Sequence, residues 1–422
     1  MSAPVPITPD KPRRKNPILR TPQMNLPPAG RSRVALGLTS LAALGDAMHC
    51  QVCGDCGHVQ YPPQEFCSRC LGSHLHWQAT AAGGTLLSET RLTHSNDLYF
   101  KERLPWRIGT VKLDAGPTVI ALLTEELKGL GARARLSLRL DRAGQALLVA
   151  LPEGEETMDS NDKLLKEMSC NPLNRKVLVA DGKTAVGQAL VRALSQAGAE
   201  TIWVGHAEPW KKIPGFDALS QVRGVELVPL DLTDSRSVDA LGGQLGGKVD
   251  IVISNGEVHH TDGISSRRGT EHARMEMDVN YLGLLRLSQA FAPALKGRAA
   301  DGADHAVAWV NLLSIFALSN FPGHGTFSAS KAAAHSLAQC LRAEMLPFGI
   351  RVLNIFPGPI DDEWNQNIEP PKLAPRALAL AIVKALVAGV EDVYPGDVAQ
   401  EWLTRWRDNP KVLERELARG EL

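Results

Sequence analysis

Four cysteines carry the plainest chemistry in the chain. In "CGDCGHVQYPPQEFCSRC", two residues separate Cys53 from Cys56, ten follow, and two separate Cys67 from Cys70. Each pair can turn both thiolates toward one ion, and four thiolates complete the closed tetrahedral shell that suits structural zinc. So short a segment has almost no core, and metal binding would supply its folding energy. Of the seven cysteines, five fall within residues 50–70, while Cys170 and Cys340 stand alone. That distribution reads as a metal site and not as a disulfide framework. Cys50 adds an ambiguity, because it has the same pair spacing with Cys53. Gly57, directly after Cys56, suits the turn of a knuckle and favours Cys53 with Cys56. Cys50, Cys170 and Cys340 then read as packed thiols, and His49 and His58 as ordinary polar residues.

The rest of the chain must position such a site. Its 422 residues suffice for two or three domains. Apolar residues make up 44% and charged residues 22%, as in ordinary globular proteins. Forty-six basic side chains balance 46 acidic ones, which favours neither nucleic acid nor an anionic membrane as partner. No run of about 18 apolar residues predicts a membrane span, and no compact apolar leader is expected, so a cytoplasmic location is the default. "GKT" (182–184) suggests a phosphate loop, but Val177 stands where its first glycine is required, and that reading fails.

Residues 1–34 are proline-rich and aperiodic and read as an extended arm, which includes the basic piece "KPRRK". The cysteine ribbon with a leading helix occupies 35–80. Over 81–152 the pattern is short strands with turns: "RIGTVKL" and "TVIALLT" flank "DAGP", and "RLSLRL" sets Leu136, Leu138 and Leu140 on one face. These strands predict a small all-β barrel. The acidic, polar start of 153–173 reads as a linker. From 174 to 422 apolar strands ("KVLVA", "TIWVG", "VELVPL", "VDIVISN", "AVAWVNLLS", "IRVLNIF") alternate with helices, which predicts a doubly wound parallel α/β sheet.

Two resemblances add to this. The knuckles, "YPPQEFC" between them and "LPWRIGTVKLD" beyond resemble the acyl-CoA-associated OB-fold family that carries a rubredoxin-like zinc ribbon. The match spans about residues 35–152. It implies an OB barrel and an accessory subunit that pairs with thiolase-like enzymes, thiolases and steroid side-chain retro-aldolases among them, with acyl-CoA as a further candidate ligand.

From Asn174 onward the chain resembles short-chain dehydrogenases/reductases, which implies a Rossmann-type fold. In that family a serine lies 13 residues before a catalytic tyrosine, and a lysine lies four after it. Here Ser314 in "VNLLSIF" and Lys331 in "GTFSASKAAAHSL" hold those places, but Phe327 stands in the tyrosine position. Asn280 in "MDVNYLGLL" matches the family's relay asparagine. Pro357 and Gly358 in "FPGPI" match the segment that closes over the nicotinamide. The family's TGxxxGxG loop reads "ADGKTAVG": Asp181 and Ala185 replace two glycines, and Gly187 remains. Asp181 is expected to cap the following helix and repel phosphate, and Lys183 to compensate in part. Asp231 fits the position near adenine, and NNAG becomes "SNGE", with Asn255 kept and Glu257 in place of glycine.

The resemblance thus implies a site with its proton carrier missing. Phenylalanine cannot transfer a proton, and loss of a placed acid/base costs about 10²–10⁴ in rate. Ser328, His324 and Tyr281 are the candidate substitutes. Structural zinc is the expected cofactor, and the degenerate loop sets NAD(P) in doubt. The helices around Asn280 and Lys331 form a dimer face in the family, where Ala329, Ala332, Ala333 and Ala334 permit close approach. The expected function is a non-catalytic accessory subunit of an acyl-CoA β-oxidation-type complex. Its barrel would dock a thiolase-like partner. Its dehydrogenase-like part would pair with an active short-chain dehydrogenase or with itself. The alternatives are an NAD(P)-dependent oxidoreductase for a 3-hydroxyacyl-CoA or similar substrate, and a simple acyl-CoA-binding module.

Overall fold

The computed structural model describes residues 24–28, 32–45, 47–154, 162–208, 210–261, 263–266, 268–300 and 306–420. The expected arm therefore lies outside the described residues at 1–23 and 29–31, and the expected linker at 155–161.

A leading helix, α1 (Arg33–Leu44), precedes a three-stranded antiparallel sheet of β1 (His49–Cys53), β2 (Val59–Gln60) and β3 (Leu75–Ala79), in the order β2-β1-β3. A closed barrel follows: β4 (Gly83–Leu92), α2 (Leu98–Glu102), β5 (Trp106–Leu113), β6 (Thr118–Leu123), β7 (Arg133–Leu140) and β8 (Ala146–Pro152), with strands in the order β4-β5-β6-β8-β7. Alternation decides which side chains fill it. Leu136, Leu138 and Leu140 of β7 point inward and are buried, whereas Ser137 and Arg139 lie on the other face and are half-buried. Helix α1 adds Leu38 and Ala42 to the same core.

The C-terminal half of the expected linker is not loop. Asp162 accepts hydrogen bonds from the backbone of Leu164 and Leu165 and so caps a short helix, α3 (Lys163–Met168). Leu165 and Met168 bury against Val149 and Leu151 of the barrel. The acidic composition of the segment concealed these two apolar anchors.

The larger part contains β9 (Lys176–Val179), α4 (Ala185–Gln196), β10 (Thr201–His206), β11 (Val225–Pro229), α5 (Ser235–Leu245), β12 (Ile251–Ser254), α6 (Glu271–Glu276), α7 (Leu284–Ala300), β13 (Ala308–Leu312), α8 (Gly325–Met345), β14 (Arg351–Ile355), α9 (Pro375–Ala388), β15 (Asp392–Val393), α10 (Asp397–Asp408) and α11 (Pro410–Arg419). Its seven strands are parallel in the order β11-β10-β9-β12-β13-β14-β15. The strands are apolar throughout because both faces are covered. Val177 and Val179 pack toward α4 and α9, and Leu178 toward α5, α7 and α8. Strand order reverses between β9 and β12, and the crevice above that point is where such sheets bind ligands.

Barrel and sheet meet at the C-terminus of α9 and at the start of β14. Arg139 of β7 donates to Ala388 O at 2.8 Å. Arg351, at the start of β14, donates to Gly389 O at 2.8 Å and to Asp141 O of the barrel at 2.8 Å. Cys170 N donates to Leu386 O at 2.8 Å, and Glu391 N to Ala43 O of α1 at 2.7 Å. Guanidinium groups at helix C-terminal carbonyls are favoured by the helix dipole. Gly389 closes this turn with φ of 67°, and a Cβ there would lie 2.2 Å from Met168 O. Gly389→Ala should therefore destabilise the whole chain by more than the roughly 1–2 kcal/mol of a left-handed alanine. Gly420→Ala (φ 68°, with nothing within 4 Å of its Cβ) is the control. Equal falls in urea midpoint for the two variants would contradict the packing argument.

Candidate functional site

The ribbon brings its four predicted thiols together. All four sulfurs lie within 4.8 Å of one another, with Cys53 Sγ–Cys70 Sγ at 3.6 Å and Cys56 Sγ–Cys67 Sγ at 3.7 Å. Gly57 has φ of 69°, the left-handed turn that a knuckle needs. Arg69 N approaches Cys67 Sγ at 3.4 Å. Four clustered thiols with no competing donor match tetrahedral zinc, and these residues would hold the ion as a closed structural site. Cys50 is resolved by packing: its sulfur is buried in the barrel core and accepts from Thr80 Oγ1 at 3.7 Å. Gln51 and Gln60 brace the second knuckle. Gln51 Nε2 donates to Gln64 O at 3.1 Å, and Gln60 Oε1 accepts from Ser68 N at 2.8 Å.

The dehydrogenase-like residues also converge. Phe327 and Lys331 are four apart on α8 and share a face. Lys331 Nζ lies 5.4 Å from the Phe327 ring centre. Ser314 follows β13 two residues beyond its end. Asn280 projects from a widened turn, Met277–Gly283, between α6 and α7. Each polar group already has a partner. Asn280 accepts from Val258 N and donates to Val258 O, both at 2.9 Å, and donates to Ser330 Oγ at 2.8 Å. Ser314 Oγ accepts from Phe316 N at 3.2 Å and donates to Pro357 O at 3.5 Å. Lys331 Nζ donates to Leu312 O at 3.1 Å.

The ring of Phe327 is buried and stacks on His259, centres 3.6 Å apart and planes at 13°. His259 Nε2 in turn shares a hydrogen bond with His324 Nδ1. Burial pushes His259 down to about 2, helped by His324 and Lys331, and burial pushes His324 down to about 4. Both rings are neutral at physiological pH. Of the proposed substitutes for tyrosine, Ser328 is spent on Phe321 N (3.3 Å), and His324 reaches the site only through His259. The space bounded by Glu257, His259, Ser314, Phe327, Pro357 and Gly358 is about 10 Å³, room for about one water molecule. Phe316 and Phe327 beside it belong to an apolar cluster with Trp402, Leu413 and Leu417 of α10 and α11, and Phe321 of the loop before α8 packs against that cluster.

Glu257 supplies the contact that sequence reasoning missed. Its carboxylate lies 2.7 Å from Lys331 Nζ, with the lysine side chain 2% and the glutamate 11% exposed. The signal was present: an acid stands where glycine was expected, and a lysine has lost its tyrosine.

Glu257 also lines the adjoining cleft of about 220 Å³ at the sheet reversal, with Lys183, Thr184, Ala185, Asn255 and Asp362. Here one expectation is corrected. Thr184, not Asp181, caps α4, its hydroxyl accepting from Gly187 N at 3.0 Å. Asp181 Oδ1 accepts instead from Lys183 N at 2.8 Å, and burial raises its pKa. Asn255 holds that loop, donating to Asp181 O at 2.6 Å and accepting from Asp181 N at 3.0 Å. Gly187 is indispensable there, since a Cβ would fall 2.0 Å from Asp181 O. Asp231 turns to its own loop, accepting from Thr233 N and Oγ1 at 2.8 and 2.7 Å. Lys183 does not face an anion: its ammonium donates to Ala207 O at 2.7 Å and to Glu208 O. Burial, with Glu257 nearby, pushes Asp362 up to about 6. Lys183, the lysine that lines this cleft, is spent on backbone carbonyls, and Glu257, Asp362 and Glu363 line its wall.

On α8, Ala329 is exposed and Ala332 and Ala333 are half-buried, but Ala334 belongs to the inner core and not to the outer face.

Fold and site together define a thiol-ligated ribbon and barrel joined to a Rossmann-type domain. Family models match in the same order: "ChsH2, rubredoxin-like zinc ribbon domain" at residues 51–75, "ChsH2, C-terminal OB-fold domain" at 77–139, and short chain dehydrogenase at 175–372. A short chain dehydrogenase from Burkholderia cenocepacia J2315, solved in complex with NADP, is 31% identical. It covers 59% of this chain and 99% of its own, with a TM-score of 0.53. Dehydrogenase/reductase SDR family member 7B of Xenopus tropicalis is 30% identical over 49% of this chain and 68% of its own length. An uncharacterised oxidoreductase of Staphylococcus aureus (strain USA300) is 28% identical over 51% and 92%. The chain belongs to the short-chain dehydrogenase family, with a ChsH2-type zinc ribbon and OB-fold ahead of that domain. Among the described residues no helix is long and apolar enough to cross a membrane.

Two outcomes follow from the geometry. The purified chain should carry one zinc per chain, and Cys56→Ser should lose it while Cys50→Ser keeps it; metal analysis of both decides. Because His259 and His324 are held below their ordinary 6.5, the unfolded chain binds more protons below that pH. Folding stability is then full above about pH 6.5 and falls as pH drops toward 4. Urea midpoints at pH 7 and 5 should show a steeper loss for the wild type than for a His259→Gln/His324→Gln variant, and equal slopes would contradict the assignment.

Proposed function

We propose that this chain is a non-catalytic accessory subunit for acyl-CoA β-oxidation-type chemistry. Its ribbon and barrel dock a thiolase-like enzyme, a thiolase or retro-aldolase. Its dehydrogenase-like part pairs, through the α7 and α8 face, with an active short-chain dehydrogenase or a second copy. One observation carries the reading: Phe327 lies flat on His259 where a proton donor is needed, beside a space of only about 10 Å³. A group that transfers protons must reach the reacting atom within about 2.6–3.2 Å. A phenyl ring offers none, and the space beside it does not admit a substrate carbonyl with its substituents.

The ChsH2-type domains support an acyl-CoA setting. A 3-hydroxyacyl-CoA dehydrogenase makes the 3-ketoacyl-CoA that a thiolase cleaves, and a retro-aldolase draws on the same 3-hydroxyacyl-CoA directly, so joining the two accessory parts in one chain serves adjacent reactions. A second reading is an NAD(P)-dependent oxidoreductase for a 3-hydroxyacyl-CoA. It is favoured by the presence of Ser314, Lys331 and Asn280 at the family's positions and by the NADP that the Burkholderia relative holds.

Incubating the purified full chain with 3-hydroxyacyl-CoA thioesters and NAD⁺ or NADP⁺ separates the two readings. No reduced cofactor is expected from the wild type, and none from Phe327→Tyr, because one hydroxyl does not widen the space beside the ring. Co-purification from the native host should bring down a thiolase-like protein. Turnover by the wild-type chain alone would overturn the reading.

A further inference from the structure

The cleft beside the site is open enough to take a small ligand, yet its walls disagree with a dinucleotide. We propose that Glu257 is the residue that sets this specificity: its carboxylate is a built-in ligand of Lys331 and keeps dinucleotides out of the cleft. The inference deepens the non-catalytic reading and rests on it.

Three observations point to Glu257 and not to its neighbours. First, it alone belongs to both spaces and touches the buried cation. It lines the 220 Å³ cleft and the 10 Å³ space beside Phe327, and its Oε2 lies 2.7 Å from Lys331 Nζ. Any hydroxyl or phosphate oxygen that sought that ammonium from the cleft would have to displace a carboxylate. Second, Lys331 Nζ gives one of its three hydrogens to Leu312 O at 3.1 Å, and an acceptor on the cleft side takes another. Third, two nearby carboxylates, Asp181 and Asp362, are engaged by backbone amides. Asp181 accepts from Lys183 N, and Asp362 Oδ1 accepts from Trp364 N and Asn365 N at 3.0 and 3.2 Å.

Removing the Glu257 side chain should therefore free the ammonium and admit an anionic polyol ligand. NADPH is the probe, followed by its fluorescence on titration with the full zinc-loaded chain. Glu257→Gly should bind NADPH at least tenfold more tightly than the wild type. Asp181→Gly, which leaves the ion pair in place, should not change binding. Because Glu257→Gly strands a buried cation, Glu257→Ser is the second variant: its hydroxyl can still accept from Lys331, and it should show the same direction of change. If both variants fold, as judged by circular dichroism and zinc content, and neither gains affinity, the inference is wrong. It is equally wrong if Asp181→Gly alone admits NADPH, or if neither Glu257 variant folds, since the pair would then be purely structural. Turnover by the wild-type chain would instead sink the non-catalytic reading itself, a separate result.

Discussion

A lysine ammonium with almost no exposure needs an opposite charge beside it. Desolvating a single charge costs several kcal/mol, and stripping a buried pair of one partner typically costs about 3–5 kcal/mol. In this protein that constraint ties Lys331 of α8 to Glu257 in the loop after β12, with Leu312 O of β13 as the third corner. Three elements that meet at the sheet reversal are thereby held in one arrangement. The Phe327 ring lies over the ammonium, His259 lies under the ring, and His324 holds His259. Each layer excludes water from the next, which is why both histidines stay neutral.

The barrel is attached at the other end of the same sheet. Arg351 opens β14 and bonds to barrel carbonyls, whereas the chain leaving β14 reaches Pro357 and Gly358 beside Ser314. About one strand length separates the two. The α9 turn, which receives bonds from the barrel and the segment after α3 and donates one to α1, fixes the barrel relative to the sheet without touching the cleft. The features that crowd the site are thus local to it: the Phe327 ring, the Glu257 carboxylate and the apolar cluster shared with α10 and α11.

Much of this was legible in the sequence because its causes are short-range. The thiol spacing names its metal, the alternating leucines of β7 name a barrel wall, and uninterrupted apolar runs name strands covered on both faces. The substitutions at Asp181, Ala185 and Phe327 were legible against a family pattern. What escaped has a common cause: it depends on which side chains meet across long separations in the chain. Glu257 and Lys331 are 74 residues apart, and nothing in either local segment states that they pair. The cap of α4 was misassigned because Asp181 and Thr184 both suit the role, and only the path of the loop decides. Helix α3 escaped because two buried side chains outweigh an acidic neighbourhood. Trp402, Leu413 and Leu417 escaped because their packing with Phe316 and Phe327 joins segments distant in the chain.

The residues kept at the site separate by what else they do. Asn280 holds both polar groups of Val258, Ser314 caps the turn at Phe316, and Lys331 bonds Leu312 O and pairs with Glu257. Each would leave a buried polar partner unsatisfied if removed, at about 1–3 kcal/mol. A tyrosine hydroxyl and the glycines of a phosphate loop have no such second task, since their use is confined to proton transfer and to close approach of a cofactor. Those are the positions now occupied by Phe327, Asp181 and Ala185. The pattern divides along the line between folding and chemistry. That division is what the proposed non-catalytic reading expects of a domain held by its own packing: residues with a second, structural task stay in place, and those whose use is confined to chemistry do not.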